Sequence, residues 1–332
     1  MIRLGFVGLG GMGLLQAKTF AAIRGCRVVA GADPSPAAGE RFSKEFPHAR
    51  AYADHRDLLR EAEADAVVVA PPTLYHPAPT IDALRRGLPV LVEKPMARTV
   101  ADARRMLQAA RRAKRLLMVA HCRRFDDHWG IFGRMIQEGI IGRPVLWRCV
   151  AAGKAPGVWF VDERLGGGPL IDMAVHNYDF ANHLFGRPQN VQGRAIKLTR
   201  ATGIDTGSVL VEYASGDQLL FSWSWGVPGG QVMDALGPRG SVIFGPGDLA
   251  PRRLDHARYA YFCQCDLDNQ RKLIQRRVDF MRMYTQQAKH FLACVEGKAE
   301  CQSPAETGLL AVAVAQAALR AAATGRRQAV RV

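Results

Sequence analysis

Ile2-Arg3-Leu4-Gly5-Phe6-Val7-Gly8-Leu9-Gly10-Gly11-Met12-Gly13 is an apolar run that breaks into glycines. The run reads as a buried strand, and Gly8 to Gly13 form a G-x-G-x-x-G between that strand and a helical pattern. Gly8 permits a tight turn, Gly10 lets backbone N–H groups approach a diphosphate at the positive end of the helix, and Gly13 allows helix and strand to pack closely. Gly11 and Met12 complete the loop. Asp33 closes the second apolar run, 20 residues after Gly13, where a carboxylate accepts hydrogen bonds from ribose hydroxyls. A plain glycine turn followed by an Asp-Pro loop accounts for the glycines alone. Strand, loop, helix and acid in register predict a dinucleotide site. Asp33 repels a 2′-phosphate and no Lys or Arg follows it before Arg41, so NAD is favoured as cofactor, with NADP a weaker fit.

Outward from this stretch, residues 1–120 alternate short apolar runs with helical patterns, the signature of a parallel sheet with crossover helices. Strands are expected at Ile2–Val7, Arg27–Ala32, Ala49–Tyr52, Ala66–Ala70, Pro89–Glu93 and Leu116–Ala120. Residues 121–332 change pattern. Val145–Val150, Ser208–Tyr213 and Gln218–Trp225 read as antiparallel strands, the last two around a turn at Ser215-Gly216-Asp217, with a helix expected over Pro169–Phe185. Two more helices close the chain, the last opened by Ser303-Pro304-Ala305-Glu306, a capping box with proline at the first helical position. The expected architecture is an α/β dinucleotide-binding domain followed by an α+β domain built on an open, mostly antiparallel sheet.

Composition narrows the function classes. The net charge of +15 is spread along the chain, with Arg104, Arg105, Arg111, Arg112 and Arg115 on outer helix faces, and no recognition module accompanies it, so nucleic acid is not an expected partner. It does favour an anionic cofactor. Seven cysteines are an odd number without metal or redox spacing, and Cys263 and Cys265 stand too close for either, so free thiols in a reducing cytoplasm are expected. No signal-peptide pattern precedes the glycines, and the apolar stretch Leu309–Ala318 is shorter than the roughly 20 residues of a membrane span, so no membrane is expected.

Two segments carry candidate chemistry. Glu93-Lys94-Pro95 lies at the carboxyl end of the fifth strand, the edge where doubly wound sheets bind ligands, so Lys94 is either a site lysine or an ordinary surface one. Gly166-Gly167-Gly168-Pro169-Leu170-Ile171-Asp172-Met173-Ala174-Val175-His176-Asn177-Tyr178-Asp179 sets Asp172 and His176 four residues apart, on one face of the expected helix. Histidine is the natural proton acceptor near neutral pH and a carboxylate one turn away can orient it, although a buried Asp–His pair can also be purely structural. The three glycines let the backbone pass close to another group, cofactor or substrate. A metal bound by Asp172, His176 and His183 lacks a third ligand of recognised spacing, and none is expected.

The whole chain resembles the Gfo/Idh/MocA oxidoreductases, named for glucose–fructose oxidoreductase and inositol dehydrogenase. The resemblance rests on Gly8–Gly13, Pro71-Pro72-Thr73-Leu74-Tyr75-His76, Glu93-Lys94-Pro95, Arg124-Phe125, Gly166 through Asp179 and the closing Ser303–Val332 segment. It implies a Rossmann first domain and a second domain whose open sheet packs against its counterpart in another subunit. Lys94, Asp172 and His176 would be catalytic: His176 takes a hydroxyl proton, Lys94 hydrogen-bonds the reacting oxygen, and Asp172 orients. Glu93 and the loop with Pro71, Pro72, Thr73 and His76 would face the nicotinamide, and Arg124, Trp159, Asn177 and Tyr178 would line a sugar pocket. Thr73 stands where the family often has Asn, and Arg123 adds a basic residue beside Arg124. These departures bear on nicotinamide contacts and on substrate charge.

The activity implied is transfer of a hydride between a secondary hydroxyl of a sugar or cyclic polyol and NAD. A redox-assisted glycosidase and a non-catalytic NAD-binding regulator share the fold, and the latter would not need Lys94, Asp172 and His176. Leu219, Phe221, Trp223 and Trp225 fall on one strand face that needs cover, from which a homodimer or homotetramer is expected.

Overall fold

Short, mostly apolar runs form six parallel strands in the first part of the chain. The computed structural model describes residues 1–162, 164–199, 201–250, 254–255, 258–279 and 281–332. Strands β1 (Ile2–Val7), β2 (Cys26–Ala32), β3 (Arg50–Tyr52), β4 (Ala66–Val69), β5 (Val90–Val92) and β6 (Leu117–Val119) alternate with helices α1 (Gly11–Ala21), α2 (Pro36–Glu45), α3 (His55–Glu61), α4 (Pro77–Arg85) and α5 (Val100–Ala113). All of β4 is buried, as an unbroken apolar run covered on both faces should be. Side chains start the helices: Asp54 accepts the Arg56 N–H at 2.8 Å, and Thr99 Oγ1 accepts that of Asp102 at 3.1 Å. The sheet runs β3-β2-β1-β4-β5-β6. Strand order reverses between β1 and β4, so the loops after those two strands flank the crevice at the carboxyl edge.

The chain divides into two units, residues 1–122 with 284–312, and residues 123–283 with 313–332. Residues 284–312 therefore join the first unit, although sequence grouped them with the second half. Their anchor is aromatic: Phe291, fully buried, meets the edge of Phe20 on α1 at 6.1 Å. At the other edge of the sheet, Val119 of β6 donates its N–H to the Ser303 carbonyl at 2.9 Å.

The second unit contains α6 (Asp127–Gln137), β7 (Leu146–Ala152), α7 (Ala174–Phe185), β8 (Pro188–Ile196), β9 (Thr206–Tyr213), β10 (Gln218–Ser224), β11 (Gln231–Gly237), β12 (Gly240–Phe244), β13 (Tyr259–Cys265) and β14 (Arg271–Arg277). Helices α8 (Arg282–Val295) and α9 (Ala305–Thr324) follow, then β15 (Gln328–Ala329). The sheet runs β14-β13-β12-β11-β7-β10-β9-β8-β15. Neighbours are antiparallel except β7 and β10, which run parallel, whereas alternation alone suggested that Val145–Val150 was antiparallel throughout. By length and composition α9 could cross a membrane, yet 56% of its apolar window is buried. All seven cysteines are free thiols.

Two further expectations change. α7 opens at Ala174 rather than Pro169, because Gly167 and Gly168 have positive φ and the turn after them closes with an Ala174 N–H to Pro169 carbonyl bond, five residues back. The face with Leu219, Phe221 and Trp225 does not await another subunit. Those three side chains are 0–7% exposed, Trp223 of the same face is half-buried and stacks on Phe221, and Phe221 lies against Tyr178 of α7 within the same unit. The opposite face is open and carries Val150 and Val232, 41% and 58% exposed.

Candidate active site

The loop after β1 forms an anion cradle by what it lacks. Gly8 has φ +85°, and a Cβ there would lie 2.3 Å from the Pro71 nitrogen; a Cβ on Gly13 would lie 1.8 Å from the Gly8 oxygen. Glycine at both positions brings the start of α1 down onto the end of β1. Gly10 is the N-cap of α1, with neither a side-chain cap nor an acid in the first turn, and a Cβ at Gly10 or Gly11 would meet nothing within 4 Å. The leading N–H groups, with Met12 among them, and the positive helix end thus face open space, which fits a diphosphate.

Asp33 secures this loop. Its Oδ2 accepts the Leu9 N–H at 2.7 Å and its Oδ1 the Ser35 N–H at 2.9 Å, leaving carboxylate lone pairs for a ribose. A cleft of about 770 Å³ opens beside it, lined by Gly8, Asp33, Pro34, Ala53, Pro71 and Leu74 among others. Its walls are largely apolar and suit an aromatic base. Leu74 and Tyr75, 43% and 55% exposed, were quoted from sequence as part of this loop without a role of their own; two large apolar residues in the loop after a central strand were the signal.

The neighbouring loops are tied to the same edge. Pro71 and Pro72 line the cleft, whereas Thr73 and His76 point inward, both buried. The His76 ring sits 2.9 Å from the carbonyl oxygens of both Pro71 and Pro95. Burial outweighs those carbonyls and pulls its pKa to about 4. His76 therefore fastens the loop after β4 to the Lys94-Pro95 turn, a different task from a nicotinamide contact. Glu93 is also buried; its Oε1 accepts from Gln16 Nε2 of α1 at 2.7 Å and its Oε2 faces the Lys94 N–H at 3.1 Å. Lys94 is half-buried at the carboxyl end of β5.

In the second unit, the three glycines lie against the chain's own backbone. Gly166 and Gly168 donate to the carbonyls of Trp159 and Phe160 at 3.0 and 2.9 Å, and a Cβ on Gly168 would lie 2.2 Å from the Ile204 oxygen. This lashes the Trp159 turn to the segment that carries Asp172. Asp172 is 4% exposed in the turn before α7, and His176 is half-buried in its first turn. Trp159 is half-buried and stacks on Phe160 at 3.9 Å.

Three residues expected in a sugar pocket are internal. Tyr178 is fully buried, its phenol pushed far up by desolvation. Asn177 is fully buried and accepts from Arg123 Nη1 at 2.8 Å. Arg124 makes a bidentate pair with Asp179 at 2.7 and 2.8 Å, with the two side chains 7% and 1% exposed. Helical periodicity accounts for the burial: only one face of α7 can present His176, and Asn177 and Tyr178 lie on others. Arg123, noted from sequence only as an extra charge, stacks its guanidinium over Trp129 at 4.0 Å.

Residues 2–121 match the model of the oxidoreductase family with an NAD-binding Rossmann fold, and residues 132–243 match the GFO/IDH/MocA C-terminal domain. The chain belongs to the Gfo/Idh/MocA oxidoreductase family. An inositol 2-dehydrogenase of Rhizobium meliloti is 29% identical over 98% of both chains, and the rhizopine catabolism protein MocA of the same species is 30% identical over 74% of this chain and 80% of its own. The WlbA dehydrogenase of Bordetella pertussis, solved with NADH and UDP-GlcNAcA, shares the fold with a TM-score of 0.82 at 23% identity, covering 100% of this chain and 99% of that one. In this Gfo/Idh/MocA protein the first unit is the NAD-binding Rossmann domain.

The burial of Arg124 leads to a direct test of its role. Removing one partner of a buried ion pair leaves the other uncompensated, so Arg124→Met should lower stability by about 3–5 kcal/mol in denaturant melts of the ligand-free protein. Unchanged stability with a raised KM would return Arg124 to the substrate pocket.

Proposed function

We propose that this protein is a dehydrogenase that oxidises a secondary hydroxyl of a sugar or cyclic polyol, inositol-like in class, with NAD as acceptor. One observation carries the reading: the carboxyl edge of the parallel sheet presents the open glycine cradle, Asp33 and the Glu93–Lys94 turn together, with Gln16 joining α1 to Glu93. Full-length similarity to an inositol 2-dehydrogenase supports the substrate class. NAD is preferred because Asp33 directs its carboxylate to the loop where a 2′-phosphate would meet like charge. Free thiols agree with a reducing compartment such as the cytoplasm.

The roles follow from chemistry. The glycine cradle and Asp33 would hold NAD, which would supply the hydride acceptor for the carbinol carbon. Lys94 donates a hydrogen bond to the oxygen on that carbon and steadies the negative charge that grows there. His176 takes the hydroxyl proton, and Asp172, held in a buried turn by its N–H bond to Gly168, orients the base. Trp159 offers an aromatic surface to the ring of the substrate.

His176→Ala should leave NAD binding, measured by nucleotide fluorescence, close to wild type while turnover of the best substrate in a panel of inositols, aldoses and uronic acids falls about a hundredfold or more. Undiminished turnover would remove His176 from the mechanism. The open sheet face with Val150 and Val232 supports self-association through that face, as a homodimer or homotetramer. Light scattering should give a mass of at least two chains, and a monomeric mass at assay concentration would rule this out.

A further inference from the structure

His290, Cys294 and Cys301 converge at the end of α8, within the first unit and away from the glycine cradle in sequence. His290 and Cys294 are one helical turn apart, and their Nε2 and Sγ atoms stand 3.4 Å from each other. Cys301 is brought back by the helix end. Gly297, with φ +70°, donates to the Cys294 carbonyl at 3.1 Å and Lys298 to the Ala293 carbonyl at 2.8 Å, the pair of bonds that closes a Schellman motif. The chain then doubles back, so that the Gln302 N–H reaches His290 Nε2 at 3.0 Å and Cys301 hydrogen-bonds the Cys294 thiol. One donor atom from each of the three side chains lies within 4.8 Å of the other two, and all three residues are half-buried and reachable from solvent.

We infer that His290, Cys294 and Cys301 form a binding site for a borderline-soft divalent cation of the Zn²⁺ class. Two sulfurs and an imidazole nitrogen are a donor set for zinc, and a poor one for Mg²⁺ or Ca²⁺, which take oxygen. With metal–sulfur bonds of about 2.3 Å and metal–nitrogen bonds of about 2.0 Å, tetrahedral ligands stand roughly 3.5–3.8 Å apart. The His290–Cys294 separation is already there, and the widest separation closes by about 1 Å through side-chain rotation. Two thiol protons leave as the cation enters, and the resulting thiolates cancel its charge, which suits a half-buried site in a chain of net charge +15. The Gln302 N–H···Nε2 hydrogen bond is exchanged for the metal–nitrogen bond, and water completes the shell.

The site is a clasp, separate from the proposed dehydrogenase chemistry. It would tie the end of α8, whose Phe291 packs on Phe20, to the loop whose Ser303 carbonyl pairs with Val119 of β6. A cation bound only by the folded form raises its stability by mass action.

The test is titration of the full-length protein, reduced and under anaerobic conditions, with Co²⁺ and then Zn²⁺. One equivalent of Co²⁺ should give the visible bands of a tetrahedral centre with thiolate-to-cobalt charge transfer. Zn²⁺ should bleach them, and Cys294→Ser and Cys301→Ser should each abolish them, whereas the double substitution Cys263→Ser, Cys265→Ser retains them. Zn²⁺ should also raise the melting temperature of the wild type and leave that of Cys294→Ser unmoved. X-ray absorption of the zinc-loaded wild type, which needs no variant to fold, should count two sulfurs. Absence of tetrahedral bands in the reduced wild type, bands that survive both single substitutions, or a shell without two sulfurs overturns the proposal. So does a Cys294–Cys301 disulfide in air-exposed protein whose reduced form takes up no Co²⁺.

Discussion

The approach of Gly13 to the Gly8 carbonyl governs where α1 can begin. Because no Cβ separates them, the helix starts directly over the end of β1, and its leading N–H groups open onto the crevice where the strand order reverses. The neighbouring features are arranged around that start. Asp33 holds the loop through the Leu9 N–H, and Gln16, one turn further along α1, reaches Glu93 at the end of β5. A side chain at either glycine would lift α1 away and loosen both attachments.

Buried polar groups then set the carboxyl edge of the parallel sheet. Glu93 and His76 are each nearly inaccessible, and a buried polar group is tolerable only when it is hydrogen-bonded. Glu93 accepts from Gln16 and the Lys94 N–H, and the neutral His76 ring, set between the carbonyls of Pro71 and Pro95, donates to one of them. The consequence is a lysine on a turn fixed from two sides, which is what a group meant to meet a growing negative charge requires. The second unit uses other means: a backbone ladder between the glycines and the Trp159–Asp162 turn, and a buried Arg124–Asp179 pair beneath the first turns of α7.

Much of this was legible in the sequence, for physical reasons that differ by region. Strands β1 to β6 are apolar runs punctuated by caps and glycines, and their period and punctuation are local properties. Asp33 could be placed because its distance from the glycines is dictated by one strand–helix–strand unit. Arg124, Asn177 and Tyr178 are buried with partners inside the second unit, a placement that sequence does not show because polar residues beside a histidine look alike whether they point at a ligand or into a core. The triple glycine was correctly read as a close approach, but its partners are the chain's own carbonyls, those of Trp159 and Phe160 in the preceding turn and that of Ile204 from sequence-distant backbone. Strands β8 and β11 to β15 went unread: β12 and β15 are short, and β14, Arg271–Arg277, is mostly charged and exposed. The His290, Cys294 and Cys301 cluster depends on a reversal at Gly297 that spacing rules do not encode.

The central claim is that Asp33 and the glycine cradle make the first unit a site for NAD in particular. Calorimetric titration of wild type and Asp33→Ala with NAD and with NADP tests it most directly. Hydrogen bonds to a charged group contribute about 1.5–3 kcal/mol, so the account predicts that the substitution weakens NAD binding by roughly 10- to 100-fold and narrows or reverses the preference over NADP. Equal affinities of wild type and Asp33→Ala for NAD would contradict it.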